Sequence, residues 1–165
     1  MSKWLLPILF ICCVFAGCIK SNSDLEKYKA QAVIDDKIVT DYIAANNLKG
    51  KALKATDTSG VYYIIIRQGQ GNDLYTASTQ VTVGDTAKLL TTGKVFYQTN
   101  DFHPSYILQQ TLLGWQLGLP KIKKGGIIRL LLPSRYAYGP YEQTNYNLPA
   151  NAVLDFTIQV YDITN

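Results

Sequence analysis

Lys124-Gly-Gly-Ile-Ile-Arg-Leu-Leu-Leu-Pro-Ser-Arg-Tyr-Ala-Tyr-Gly139 contains a strand with both ends marked. Gly125-Gly126 opens it. Pro133, which has no N–H to offer a ladder, closes it. The apolar run between them predicts a strand over Ile127–Leu132. Toward the C-terminus a second strand alternates cleanly. Leu154, Phe156, Ile158 and Val160 face inward, and Asp155, Thr157 and Gln159 outward. Toward the N-terminus, Leu112 to Leu119 reads as a short helix stopped by Pro120. Further back, Val81, Val83, Asp85, Ala87 and Leu89 share one face of an alternating run. Thr91-Thr-Gly93 then turns the chain into Lys94-Val-Phe-Tyr97. Val61-Tyr-Tyr-Ile-Ile-Ile66 is a further β run, broken by Gln68-Gly-Gln-Gly71. That glycine pair lacks the third glycine and following helix of a dinucleotide site, so it reads as a turn. One short helix among antiparallel strands is an α+β layout, with a sheet wrapped on a helix.

Composition agrees with a globular domain. Of 165 residues, 47% are hydrophobic and 17% charged, which excludes a disordered chain. The net charge of +4 comes without a polybasic run, so it gives no footprint for a nucleic-acid partner. One histidine and three cysteines leave no set of ligands for a Cys/His metal site and no His-based triad. Twelve tyrosines against five phenylalanines point to a β-rich fold with wet aromatic surfaces.

The first residues belong to a different kind of segment. Lys3 precedes an apolar stretch from Trp4 to Phe15, the length of a signal-peptide core rather than a membrane span. Ala16-Gly17-Cys18 follows it and resembles the bacterial lipobox, with Phe15 where leucine is usual. That resemblance implies removal of residues 1–17, diacylation of Cys18 and a cell-envelope location. The protein would be lipid-anchored to a membrane, periplasmic or at the outer membrane. Residues 18–23 read as a tether. Ser23 with Glu26 is a capping-box signature, and Ile34, Ile38, Tyr42 and Ala45 form a helical stripe. These predict a helix over 24–47, stopped by Gly50, in an N-terminal segment 24–50. Asp35-Asp36 falls on the face read as solvated.

Chemistry is sparse in the rest of the chain. His103 stands alone in Asp-Phe-His-Pro, with no second ligand or nucleophile at a recognisable spacing. Lys121-Ile-Lys-Lys124 reads as a solvated basic turn. Asp85 is the exception, because it occupies the apolar face of its strand, where a lone carboxylate is costly. The other signal is aromatic: Phe96, Tyr97, Tyr106, Trp115, Tyr136, Tyr138 and Phe156 come from separate elements.

In order along the chain, four blocks resemble the FKBP family of macrolide-binding peptidyl-prolyl isomerases. They are Val81-Thr-Val with Lys88–Phe96, Leu112-Leu-Gly-Trp115 with Gly118-Leu, Lys124-Gly-Gly with Pro133–Gly139, and Leu148–Phe156. The resemblance covers residues 61–163. It implies a half-open antiparallel β-sheet curled around one short helix, and isomerisation of X-Pro bonds in exported proteins without metal or cofactor. Phe96, Tyr106, Trp115 and Phe156 would wall the pocket. Thr111 and Leu112 would form its edge, and Tyr138 would donate a hydrogen bond to the turning carbonyl. Partners implied are proline-containing polypeptides and macrolide-type ligands.

Two positions depart from the family. Asp85 stands where the family has tyrosine, and Tyr97 where it has aspartate. Strand alternation favours Asp85 over Thr86 for that slot. The exchange predicts a Tyr97 hydroxyl bonded to the Asp85 carboxylate at the pocket rim, and lowered catalytic power and macrolide affinity. The alternative reading is a non-catalytic module that holds proline-containing chains as a chaperone.

Overall fold

A computed structural model describes residues 19–165, with side chains from Ser23 onward. Helix α1 (Ile19–Ala45) leads into a seven-stranded antiparallel sheet. Its strands are β1 (Leu53–Lys54), β2 (Tyr62–Arg67), β3 (Gln80–Leu89), β4 (Val95–Gln98), β5 (Ser105–Ile107), β6 (Ile127–Leu132) and β7 (Leu154–Thr164). The order across the sheet is β1-β2-β6-β7-β3-β4, with β5 paired to β3. The short helix α2 (Leu113–Gly118) lies between β5 and β6 in the chain, and a 3₁₀ turn containing Pro120 follows it. The fold class read from the sequence is the one observed.

Strand β6 explains the layering. Ile128, Leu130 and Leu132 are buried on one face and meet the main core with Trp115, Leu119, Phe156 and Ile158. Leu131 is buried on the other face with Val39, Ile43, Leu90 and Val153. The sheet is therefore covered on its inner face by α2 and on its outer face by α1, which is why β6 has almost no polar residue.

Helix α2 sits close because its own surface is glycine. A Cβ at Gly114 would lie 2.4 Å from Leu132 Cδ2, and one at Gly118 would lie 2.4 Å from Leu130 Cδ2. This near contact fixes the height of Trp115, the buried residue between the two glycines.

Several expectations about α1 and its contacts need correcting. The helix already runs through residues 19–23, read as tether, so Ser23 lies inside it rather than at its cap. It ends at Ala45, and Ile34 is 52% exposed. The buried stripe is one position round, on Asp35, Val39 and Ile43, flanked by Ile38 and Tyr42. Periodicity of apolar residues missed it because its first member is a carboxylate. Asp35 is fully buried, not solvated. Asp155 does point to the outer face, yet it too is buried, under α1. Arg129 binds it through Nε and Nη2, both at 2.8 Å, and also donates to the Tyr42 hydroxyl at 2.7 Å. The segment 1–17 and Cys18 lie outside the described residues. Among the described residues no helix is long and apolar enough to cross a membrane.

The glycine contact is directly testable. Valine and glycine differ little in helix propensity, so Gly118→Val reports mainly the overpacking against Leu130. It should lower unfolding free energy by about 1–3 kcal/mol in urea titrations. Leu113→Ala, at an exposed site in the same helix, should change it by less than about 0.5 kcal/mol.

Candidate active site

A cavity of about 250 Å³ opens on the concave side of the sheet. Its floor and walls come from elements far apart in the chain. Helix α2 supplies Trp115, β7 supplies Phe156, β4 supplies Phe96 and Tyr97, and β5 supplies Tyr106. The aromatic rings meet edge to face. Trp115 and Phe156 lie 5.5 Å apart at 87°, Tyr106 and Trp115 6.1 Å at 81°, and Phe96 and Phe156 6.3 Å at 86°. This geometry sets the positive edge of one ring on the negative face of the next, and such pairs add about 0.5–1.5 kcal/mol beyond their burial.

One side of the opening is the Gln110–Leu112 segment. Thr111 Oγ1 donates to Leu108 O at 2.7 Å, and the Gln116 amide donates to Thr111 O at 2.9 Å. The Leu112 carbonyl accepts the first amides of α2, Trp115 N–H at 2.9 Å and Gln116 N–H at 3.2 Å. The Leu112 N–H bonds to no other described residue, so it is free for a ligand carbonyl.

The opposite side is the segment after β6. Pro133 to Gly139 folds tightly: the Ser134 carbonyl accepts the N–H of Ala137 at 2.9 Å and of Gly139 at 2.8 Å. Tyr138, carried between those two amides, lines the cavity. Beside it stands Tyr146, whose ring is 5.9 Å from both Phe96 and Tyr97 and 6.4 Å from Tyr138.

Every residue that the resemblance or the strand pattern placed at the substrate pocket lines this one cavity: Asp85, Phe96, Tyr97, Tyr106, Thr111, Leu112, Trp115, Tyr138 and Phe156; Tyr136 does not. Two were missed, Gln110 and Tyr146. Tyr146 sits in a 3₁₀ turn (Thr144–Tyr146) of a polar loop without strand or helix periodicity. Its only sequence signal is a large aromatic in such a loop. Asp85 lines the cavity, and Thr86 does not. His103 stacks on Tyr161 with ring centroids 3.8 Å apart, away from the cavity.

The expected hydrogen bond between Tyr97 and Asp85 is not made. The two share a sheet face, but Tyr97 pairs with Ala87, and Thr99 stands across from Asp85. Thr99 N–H donates to Asp85 O at 3.0 Å, and Thr99 Oγ1 accepts the Asp85 N–H at 2.9 Å. The diagonal offset leaves Asp85 Oδ1 buried without a partner among the described residues. The Tyr97 hydroxyl instead helps to raise the pKa of the Tyr106 phenol.

Burial dominates the electrostatics. It pushes the Asp85 carboxyl up to about 6. It also raises Tyr106 to about 12, assisted by the Tyr97 hydroxyl, and raises Tyr138, assisted by Tyr146 and Asp85. At neutral pH the Tyr106 and Tyr138 phenols are therefore neutral donors, and Asp85 is ionised but strained.

That strain has a sign. Asp85 is raised in the folded state, so its contribution to stability is full below the unfolded value near 4 and is lost as pH rises through about 6. Asp85→Asn removes the penalty. In urea unfolding, the stability of the variant relative to the parent should improve by about 2 kcal/mol between pH 4 and pH 8. A difference independent of pH would show that Asp85 is not the strained group.

The description FKBP-type peptidyl-prolyl cis-trans isomerase belongs to the family that matches residues 71–161. A protein of that description, FkpA of Buchnera aphidicola subsp. Acyrthosiphon pisum, is 37% identical over 121 residues, covering 73% of this chain and 48% of its own. A probable FKBP-type isomerase of Haemophilus influenzae is 33% identical over 157 residues, 87% of this chain and 64% of its own. The crystal structure of FkpA from Escherichia coli superposes with a TM-score of 0.67 at 26% identity, over 87% of this chain and 66% of that one. The chain spans about half the length of the Buchnera relatives it matches. The match to residues 71–161 spans β3 to β7 and every wall of the cavity. This chain belongs to the FKBP-type peptidyl-prolyl cis-trans isomerase family.

Proposed function

We propose that this chain accelerates cis-trans isomerisation of X-Pro bonds in exported polypeptides. The observation that carries the reading is the pairing, in one small cavity, of an edge-to-face aromatic box with two separate hydrogen-bond donors, the Tyr138 hydroxyl and the free Leu112 N–H.

The physics needs no nucleophile. Amide resonance sets a rotation barrier of roughly 18–20 kcal/mol. Twisting the C–N bond breaks that resonance and lowers the polarity of the amide. A box walled by Phe96, Tyr106, Trp115 and Phe156 favours the twisted, less water-loving form over the planar one, which is differential binding of the transition state. The proline ring would rest on Trp115. Thr111 and Leu112 form the edge, where the Leu112 N–H takes a backbone carbonyl of the substrate. Tyr138 donates to the carbonyl as it turns. Asp85, ionised above about pH 6, would repel a carbonyl oxygen from its own wall and so steer it toward the donors. Tyr97 lines the same cavity as Tyr106 and packs edge-on to Tyr146.

Substrates on this reading are proline-containing chains. Macrolide-type ligands should bind weakly, since the carboxylate at Asp85 lies in an otherwise aromatic wall. The location follows from the N-terminal sequence: Ala16-Gly17-Cys18 after the apolar stretch supports a lipid anchor at the cell envelope.

Three measurements test this. A Leu-Pro tetrapeptide in a protease-coupled assay should isomerise faster with the chain present. Tyr138→Phe should lower kcat/KM about tenfold, equivalent to about 1.4 kcal/mol, with the fold intact by circular dichroism. An active parent with an unaffected Tyr138→Phe would remove that hydroxyl from the mechanism, and an inactive parent that still binds proline peptides would favour the chaperone reading. Cys18→Ser should lose radiolabelled fatty acid and leave the membrane fraction. A variant that stays membrane-bound would refute the anchor.

A further inference from the structure

The Tyr138 segment is held from behind by a helix outside the matched family region. Helix α1 presents two adjacent carboxylates to the turn after β6. Asp35 is fully buried, and its Oδ2 accepts both the Ser134 N–H at 2.8 Å and the Ser134 Oγ–H at 2.6 Å. Its Oδ1 accepts the Gln31 amide at 2.7 Å. Asp36 takes Arg135 Nη2 at 2.7 and 3.0 Å, and the same guanidinium donates to Ser59 O at 2.8 Å and Ala32 O at 3.3 Å.

The two ends of Ser134 face opposite tasks. Its N–H and hydroxyl are bound by Asp35. Its carbonyl binds the N–H of Ala137 and of Gly139, the residues on either side of Tyr138. The link therefore runs from α1, through the single residue Ser134 and the two peptide groups that flank its Cα, to the segment that carries the Tyr138 side chain lining the cavity. A buried carboxylate is expensive unless its hydrogen bonds are made, so this contact tolerates little displacement. An apolar residue at 35 would continue the Val39–Ile43 stripe at lower desolvation cost. The carboxylate is thus poorly explained by helix docking alone.

We propose that Asp35 is a positioning residue for the isomerase site, acting through Ser134 to hold Tyr138 at the height at which its hydroxyl meets the turning carbonyl. Asp36 with Arg135 fixes the same turn against α1 and Ser59. The proposal rests on the isomerase reading for its kinetic consequence, but the structural coupling from Asp35 to Ala137 and Gly139 does not.

The test uses the full chain and a Leu-Pro tetrapeptide. Asp35→Ala should lower kcat about tenfold with KM within twofold of the parent, since the box is intact while the donor is displaced. Asp35→Asn, which keeps one acceptor, should recover part of the loss. In a Tyr138→Phe background, Asp35→Ala should cost less than twofold, because the group it positions is gone. A helix-docking role would instead lower activity equally in both backgrounds, and that result overturns the proposal. Amide exchange supplies a readout independent of turnover: the Ala137 and Gly139 amides should exchange at least tenfold faster in Asp35→Ala, with amides of β7 unchanged. If Asp35→Ala does not fold, Ser134→Ala removes the hydroxyl contact alone and should show the same kcat effect at smaller size. A parent without isomerase activity would refute the isomerase reading and, with it, the kinetic part of the proposal. Unchanged exchange at Ala137 and Gly139 would refute the coupling itself.

Discussion

The contact between α2 and β6, glycine against leucine, is the constraint from which the rest of the site is measured. A helix of six residues has little stability of its own. It holds because Gly114 and Gly118 let its backbone settle onto Leu132 and Leu130. That depth sets where the Trp115 indole lies, and the indole in turn is the surface on which Tyr106 and Phe156 pack edge-on. The sheet curls around this helix, so strands β4, β5 and β7 deliver their aromatics, and β3 delivers Asp85, to one point.

Within that box the polar groups are few and exposed to different demands. The phenols of Tyr106 and Tyr138 are driven by burial toward their neutral, donating forms. Asp85 is driven the same way, but from a value low enough that it ionises near neutrality. An unpartnered carboxylate oxygen on the apolar face of a long strand is a costly choice for stability alone. Its position in the cavity wall gives the cost a setting in which charge matters. The pocket thus combines a low-polarity floor with an edge of donors and one strained anion.

The outer face of the sheet has a different logic. Among the described residues, Arg129 is paired there with Asp155 and also binds Tyr42, half-buried Asp36 is paired with Arg135, and buried Asp35 is held by the neutral donors of Ser134 and Gln31. Apolar contact through Val39 and Ile43 supplies attraction between α1 and the sheet, and the ionic contacts fix which part of the helix meets which turn. Charge pairs of this kind add little net stability but penalise a wrong register heavily.

The sequence by itself determined what depends on neighbours along the chain. Alternation in β3 and β7 and the Gly-Gly and Pro133 borders of β6 were enough to predict an α+β sheet around one helix, and the resemblance of four ordered blocks to the FKBP family named most residues of the cavity. Those signals are local because the period of a strand and the breaking power of proline are local. Tertiary structure alone decided the rest. It rotated the buried stripe of α1 to include Asp35, because Ser134, far away in the chain, satisfies that carboxylate. It buried Asp155 under a helix that alternation could not foresee. It brought Tyr146 into the wall from a loop without periodicity, and it offset Tyr97 from Asp85 by the ladder register. In each case a polar or irregular residue takes its place from a partner distant in sequence, and no pattern within the segment encodes that partner.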